Sequence, residues 1–75
     1  MYEQVRELLI EELQIDERLI TPNAELVGDL DINSIELADL VMICEERFDV
    51  NIEEEDLSRL ITVGDVADYL ENLSK

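Results

Sequence analysis

Three segments of the sequence repeat apolar residues with the spacing of an α-helix, and no segment alternates apolar and polar residues as a half-buried strand does. The first segment covers about residues 2–14, the second about 34–48, and the third begins after residue 62. A shorter turn or helix is predicted around residues 53–60. The sequence therefore predicts an all-α fold, a three-to-four-helix bundle.

The connection between helices one and two is long for so small a chain. Turn-forming residues punctuate it at Thr21-Pro22-Asn23 and at Gly28-Asp29. Four of its residues are too apolar to be left wholly in water, so we expect the loop to lie across the bundle: Leu26, Val27, Leu30 and Ile32. Long loops inside a compact domain are commonly functional, so we expect this loop to contribute to the site.

The size and charge of the chain exclude several classes of function. A chain of 75 residues builds one modest hydrophobic core, so residues 1–75 are interpreted as a single domain that is not an enzyme. It has 21 Asp and Glu against 5 Lys and Arg, a formal net charge of -16 that repels nucleic acid and anionic membranes. We therefore expect a monomer whose partners are basic proteins, with no nucleic acid and no membrane insertion.

The residue types needed for nucleophilic and metal chemistry are scarce. The sequence has no histidine and one cysteine, Cys44, which excludes Cys/His metal sites and leaves no histidine to activate a serine or thiol. Asp29, Asp31 and Asn33 alternate like the start of a calcium-binding loop, but the turn position that calls for Gly holds Ser34 and the position that calls for a bidentate Glu holds Leu40. We therefore predict weak divalent binding at most and no specific metal site. The stretch after Met1 shows no signal-peptide pattern, and we expect a cytoplasmic protein.

Two apolar arcs run along the second helix. The arc expected to face the core contains Leu37, Leu40, Val41, Cys44 and Phe48. The second arc, which we call the docking strip, contains Ile35, Ala38 and Met42. An apolar strip among carboxylates is typical of a helix that docks in a groove surrounded by Lys and Arg. With their acidic and capping neighbours, the predicted partner-binding residues are Asn33, Ile35, Glu36, Ala38, Asp39, Met42, Glu45 and Glu46. The alternative is that the long loop covers Ile35 and Met42.

The start of the second helix is marked by a capping box. Asn33 can cap the helix, and Glu36 follows three residues later in the position that completes the box. Ser34 would then be the first helical residue. A phosphate on its hydroxyl would meet free N–H groups and the positive end of the helix dipole.

The segment around Ser34 resembles the Asp-Ser-Leu attachment segment of acyl carrier proteins. The sequence there reads Asp29-Leu30-Asp31-Ile32-Asn33-Ser34-Ile35-Glu36-Leu37. Further short motifs follow the family pattern without gaps over nearly the whole chain: Ile20-Thr21-Pro22, Leu40-Val41-Met42, Glu45-Glu46-Arg47-Phe48-Asp49 and Thr62-Val63-Gly64-Asp65.

The resemblance implies a carrier that catalyses nothing itself. A phosphopantetheinyl transferase would attach 4'-phosphopantetheine to Ser34, and acyl groups would be held on the arm as thioesters, most simply in fatty acid biosynthesis. Acyl-processing enzymes with basic docking patches would be the other partners. By position in the family, the pocket for the acyl chain would be lined by Val41, Cys44, Ile52, Leu57 and Leu60.

The attachment segment departs from the family at two positions. Asn33 stands where the family has Asp, and Ile35 stands where it has Leu. A dedicated carrier for polyketide, peptide or modified-lipid synthesis is therefore an alternative within the family. Outside the family, an acidic adaptor or inhibitor that binds basic protein clefts, or a metal-responsive helical switch, would also be compatible with the charge.

Overall fold

A computed structural model describes residues 1–73 of the chain, so Ser74 and Lys75 of the predicted domain lie outside the described residues. The elements in chain order are helix α1 (Tyr2–Leu13), a 3-10 turn (Glu17–Leu19), helix α2 (Ser34–Phe48), a 3-10 helix (Glu54–Arg59) and helix α3 (Val63–Leu73). The predicted all-α bundle is confirmed. Extended pairing within residues 1–73 is limited to one isolated bridge between Glu25 and Thr62.

The core is shared by the three helices and the long loop. α1 packs mainly on α3 and less extensively on α2. The buried residues of the helices are Val5, Leu8 and Leu9 of α1, Leu40 and Cys44 of α2, and Val63, Val66, Ala67 and Leu70 of α3. The loop adds the buried residues Ile20, Ala24, Leu26, Leu30 and Ile32. The loop is therefore part of the core and fixes where α2 begins.

Val27 is the least buried of the four apolar loop residues, with 64% of its surface exposed. The N–H groups of Asp29 and Leu30 both donate to the carbonyl of Glu25, so residues 25–30 wind like a single helical turn. Side chains four residues apart share a face of such a turn, which directs Leu26 and Leu30 inward. Val27 follows Leu26 on the turn and lies on the solvent side.

Backbone hydrogen bonds join the loop to the beginning of α3. The N–H of Leu26 donates to the carbonyl of Ile61 at 2.9 Å, and the N–H of Val63 donates to the carbonyl of Ala24 at 3.0 Å. The N–H of Gly64 donates to the carbonyl of Pro22 at 2.9 Å. These bonds hold the two backbones so close together that residue 64 has no room for a side chain.

We expect Gly64→Ala to destabilise the fold by about 1 kcal/mol. An added Cβ would lie 2.8 Å from the Pro22 carbonyl oxygen, which is held in the backbone. Overpacking typically costs about 1–3 kcal/mol, against which alanine in a helix gains up to about 1 kcal/mol. The measurement is the free energy of unfolding in urea.

Gly28→Ala is the matched control for that substitution. Its Cβ would meet Glu25 Oε1 at 2.6 Å, but that atom ends a flexible, exposed side chain that can move away. The expected change is within about 0.5 kcal/mol. Equal losses for the two variants would show that the approach of Gly64 to Pro22 carries no special constraint.

Candidate functional site

Ser34 is exposed and is the first residue of α2, as the sequence predicts. The predicted capping box is also confirmed. Asn33 Oδ1 accepts a hydrogen bond from the Glu36 N–H at 2.8 Å, and Glu36 Oε1 accepts one from the Asn33 N–H at 3.3 Å. The two side chains satisfy each other's backbone groups, which fixes the first turn of the helix and the position of Ser34.

Two backbone donors remain unpaired beside the Ser34 hydroxyl. The N–H of Leu37 makes the first bond of the helical ladder, to the Asn33 carbonyl at 2.9 Å. Within residues 1–73, the N–H groups of Ser34 and Ile35 have no hydrogen-bond partner. Unpaired donors at the positive end of the helix dipole favour an anion, so this geometry suits a phosphate ester on Ser34.

The loop anchors the segment that leads into Ser34. Leu30 and Ile32 are buried, and the N–H of Ile32 donates to the carbonyl of Leu26 at 3.0 Å. Asp29 Oδ2 accepts a hydrogen bond from the Glu25 N–H at 2.8 Å. The segment that precedes Ser34 is therefore held in place by burial and by hydrogen bonds, which gives Ser34 a well-defined backbone position.

The docking strip is open to solvent. Ile35 is 74% exposed and Met42 is 58% exposed, and Ala38 between them is also exposed. The alternative in which the long loop covers Ile35 and Met42 is therefore wrong. On the opposite arc Leu40 and Cys44 are buried, while half-buried residues pack against the core beside them: Leu37, Val41 and Phe48. α2 thus has one buried arc and one exposed apolar arc.

The acidic residues around the strip differ in what they do for the fold. Glu45 is half-buried, and its Oε2 accepts a hydrogen bond from the Ile52 N–H at 2.9 Å, which holds the segment after α2. Glu36 is committed to the capping box. Asp39 and Glu46 are exposed, and their carboxylates make no hydrogen bond or ion pair with the described residues. The structural role of Glu45 depends on a contact seven residues away, which helical periodicity does not reveal.

The five predicted acyl-pocket residues pack within one hydrophobic cluster. Cys44, Ile52 and Leu60 are buried, and Val41 and Leu57 are half-buried against them. Two surface depressions lie elsewhere, one lined in part by Thr21 and Asp29, the other by Glu12, Ile43, Glu46 and Arg47. An acyl chain in the predicted pocket would have to separate side chains that are in contact here.

Cys44 lies in the core, and burial raises the pKa of its thiol to about 11. The positive charge of Arg47 lowers that pKa and the negative charge of Glu45 raises it, both less than burial does. The thiolate is the reactive form of cysteine. Cys44 therefore supplies no nucleophile at neutral pH.

We expect iodoacetamide at about pH 8 to alkylate Cys44 roughly a hundredfold more slowly in the folded chain than in urea, because an unfolded thiol has a pKa near 8.5.

The raised pKa of Cys44 also makes the stability of the fold depend on pH, because the thiol of the unfolded chain ionises first as pH rises. Stability should therefore fall between about pH 9 and about pH 11. The free energy of unfolding of Cys44→Ala should fall less over that range. If the wild type and the variant lose stability in parallel as pH rises, Cys44 is not the group responsible.

Most of the positive charge is neutralised by neighbouring carboxylates. Ion pairs join Arg6 to Glu17 at 3.4 Å, Arg18 to Asp16 at 2.8 Å, and Arg47 to Glu11 and Glu12 of α1 at 4.0 and 3.4 Å. The hydrogen bonds from Arg18 lower the pKa of Asp16.

No group of three potential ligands in residues 1–73 is arranged to hold a metal ion. None of the helices described combines the length and the apolar character that crossing a membrane requires.

Comparison with known proteins agrees with this geometry. Residues 3–70 match the family model described as "Phosphopantetheine attachment site". The chain is 35% identical over 75 residues to an acyl carrier protein of Campylobacter lari, covering 100% of this chain and 97% of that protein. It also superposes on the crystal structure of an acyl carrier protein from Thermotoga maritima with a TM-score of 0.81 and 27% identity, covering 95% of this chain and 82% of that one. The chain therefore belongs to the acyl carrier protein family, whose members are not enzymes and hold acyl groups as thioesters on covalently attached 4'-phosphopantetheine.

Proposed function

We propose that Ser34 is the residue that bears 4'-phosphopantetheine. The observation that carries this assignment is the exposed hydroxyl beside two unpaired N–H groups at the start of α2. The other serine among the described residues, Ser58, donates its hydroxyl to the Glu55 carbonyl at 3.3 Å inside the 3-10 helix. Ser34 alone of the two combines a free hydroxyl with donors for a phosphate.

Transfer to Ser34 requires a base that removes the hydroxyl proton. The chain has no histidine, and the nearby carboxylate of Glu36 is committed to the capping box. We therefore expect the phosphopantetheinyl transferase to supply the base. Once attached, a flexible arm keeps its acyl group at a high effective concentration for each enzyme that docks on the carrier.

The docking strip is the proposed contact surface for those enzymes. Its exposed apolar residues are Ile35, Ala38 and Met42, and the uncommitted carboxylates of Asp39 and Glu46 flank it. With a formal net charge of -16, the chain attracts partners whose docking patches are basic. Asn33, Glu36 and Glu45 complete the surface while also stabilising the ends of α2. The carrier acts as a monomer in the cytoplasm.

Fatty acid biosynthesis is the proposed pathway, supported by the full-length similarity to a bacterial acyl carrier protein. The growing chain would enter between Val41, Cys44, Ile52, Leu57 and Leu60, which form one apolar cluster. A dedicated carrier for polyketide, peptide or modified-lipid synthesis is the second candidate, favoured by Asn33 and Ile35 at positions where the family has Asp and Leu. An acidic adaptor needs no modified serine, and the family match argues against it.

The test is modification followed by loading. The unmodified chain is incubated with coenzyme A and a transferase of broad specificity, and the intact mass is measured. We expect a gain of one phosphopantetheinyl group, located in the peptide that contains Ser34. The product is then given to a purified bacterial fatty acid synthase with malonyl coenzyme A. Modification without chain extension would favour the dedicated carrier, and a failure to be modified would contradict the attachment site.

We expect Asn33→Asp to accelerate this modification several-fold. Asp can accept the Glu36 N–H as Asn33 does, so the cap persists, and the added charge beside Ser34 attracts a basic transferase. Asn51→Asp, which adds the same charge at an exposed position after α2, is the control. An unchanged or slower rate for Asn33→Asp would mean that the chain is served by a transferase matched to Asn33.

A further inference from the structure

Asp31 has an unusual backbone conformation for a residue with a side chain. Its φ of 56° lies in the left-handed region, where glycine is the least costly residue. The residues on both sides, Leu30 and Ile32, are buried, so the backbone cannot relax without disturbing the core. The side chain of Asp31 is exposed. A carboxylate is thus held in a strained position three residues before Ser34.

The fold makes no use of that carboxylate. Asp side chains in turns commonly bond to neighbouring backbone groups, but Asp31 makes no hydrogen bond or ion pair within residues 1–73. Its neighbours differ, since Asp29 accepts the Glu25 N–H and Glu36 accepts the Asn33 N–H. Stability therefore does not account for an aspartate at position 31.

The free charge lies within electrostatic reach of the site. Asp31 is the one charged residue from position 30 to position 35, and Asn33 next to the serine is neutral. Three residues span at most roughly 11 Å, which is comparable with a Debye length of about 8 Å at physiological salt. A basic group on any enzyme that reaches Ser34 therefore experiences the charge of Asp31.

We propose that Asp31 is a specificity-determining residue for phosphopantetheine transfer, pairing through its uncommitted carboxylate with a Lys or Arg that borders the active site of the docked transferase. The proposal rests on Ser34 being the attachment site. Asp31 contacts the enzyme and takes no part in the reaction at the hydroxyl, so its effect falls on KM and not on kcat.

Asp49 provides a matched control within the same chain. Its φ is 53°, its carboxylate is exposed and makes no hydrogen bond or ion pair within residues 1–73, and it follows the last residue of α2. The fifteen-residue helix places it roughly 20 Å from Ser34. Asp49→Asn removes the same charge from the same backbone conformation at the far end of the helix.

The experiment measures kcat and KM separately, with the carrier as the varied substrate, for transfer from coenzyme A to the unmodified wild type, Asp31→Asn, Asp31→Gly and Asp49→Asn, at low and physiological salt. Loss of one exposed contact charge should lower kcat/KM about three- to tenfold at low salt for both Asp31 variants, with a smaller effect at higher salt. Asp49→Asn should change it less than twofold. Thermal unfolding is recorded for each variant to verify the fold.

Each other outcome overturns the role of Asp31. If Asp31→Asn behaves like Asp49→Asn, the charge at position 31 does not guide the transferase. If Asp31→Gly retains the wild-type rate while Asp31→Asn is slow, the carboxylate is not required. If the wild type is modified but not at Ser34, the attachment site itself is wrong, and this is distinguished by mapping the modified peptide.

Discussion

Ser34→Ala is expected to abolish phosphopantetheine attachment while the free energy of unfolding changes by no more than about 0.5 kcal/mol. The hydroxyl is exposed, and the cap of α2 belongs to Asn33 and Glu36, which are unaffected by the change. The measurement is intact mass after incubation with coenzyme A and a transferase, alongside urea unfolding of the same sample.

Ser58→Ala is the control for that experiment. Ser58 is also exposed, and it lies in the 3-10 helix away from the start of α2. The Ser58 variant should gain the full mass of the arm. Modification of the Ser34 variant would overturn the assignment, and loss of modification in both variants would point to a general disruption of the docking surface.

Leu40→Ala and Met42→Ala are expected to act on different properties, because the two residues, although only two positions apart in α2, lie on different arcs of the helix. Leu40 is 2% exposed, and truncating it should cost about 2–5 kcal/mol of folding stability through the lost burial and the cavity left behind. Met42 is exposed, so its truncation should change stability by no more than about 0.5 kcal/mol. Urea unfolding of the two variants measures this difference.

For binding to a partner enzyme, we expect the larger direct effect from Met42→Ala and not from Leu40→Ala. Met42→Ala should weaken binding to an acyl-processing enzyme by about 1 kcal/mol or more, because it removes apolar contact near the centre of the docking strip. We expect the loss to appear chiefly as faster dissociation. Met42→Leu keeps the volume and should bind nearly as the wild type does. Stability equally reduced by Met42→Ala and Leu40→Ala would place Met42 in the core, and unchanged dissociation would remove it from the docking surface.

Local patterns were sufficient to predict the helices and the position of Ser34. The capping box of Asn33 and Glu36 involves residues three apart, and its hydrogen bonds form where that spacing predicts. The buried arc of α2 follows from helical periodicity, and Leu40 and Cys44 are its fully buried members. These features need no knowledge of distant segments, since the chain geometry of one helix determines them.

Sequence alone therefore determined the helical fold class, the capped serine and the two arcs of α2, because each depends on residues within a few turns of one helix. The tertiary structure decided the features that depend on how separate segments meet. It leaves Ile35 and Met42 uncovered, engages Glu45 with the Ile52 N–H, and brings Gly64 against Pro22. It also holds Asp31 in the left-handed region, because burial of its two neighbours constrains the backbone there more strongly than the preference of aspartate does.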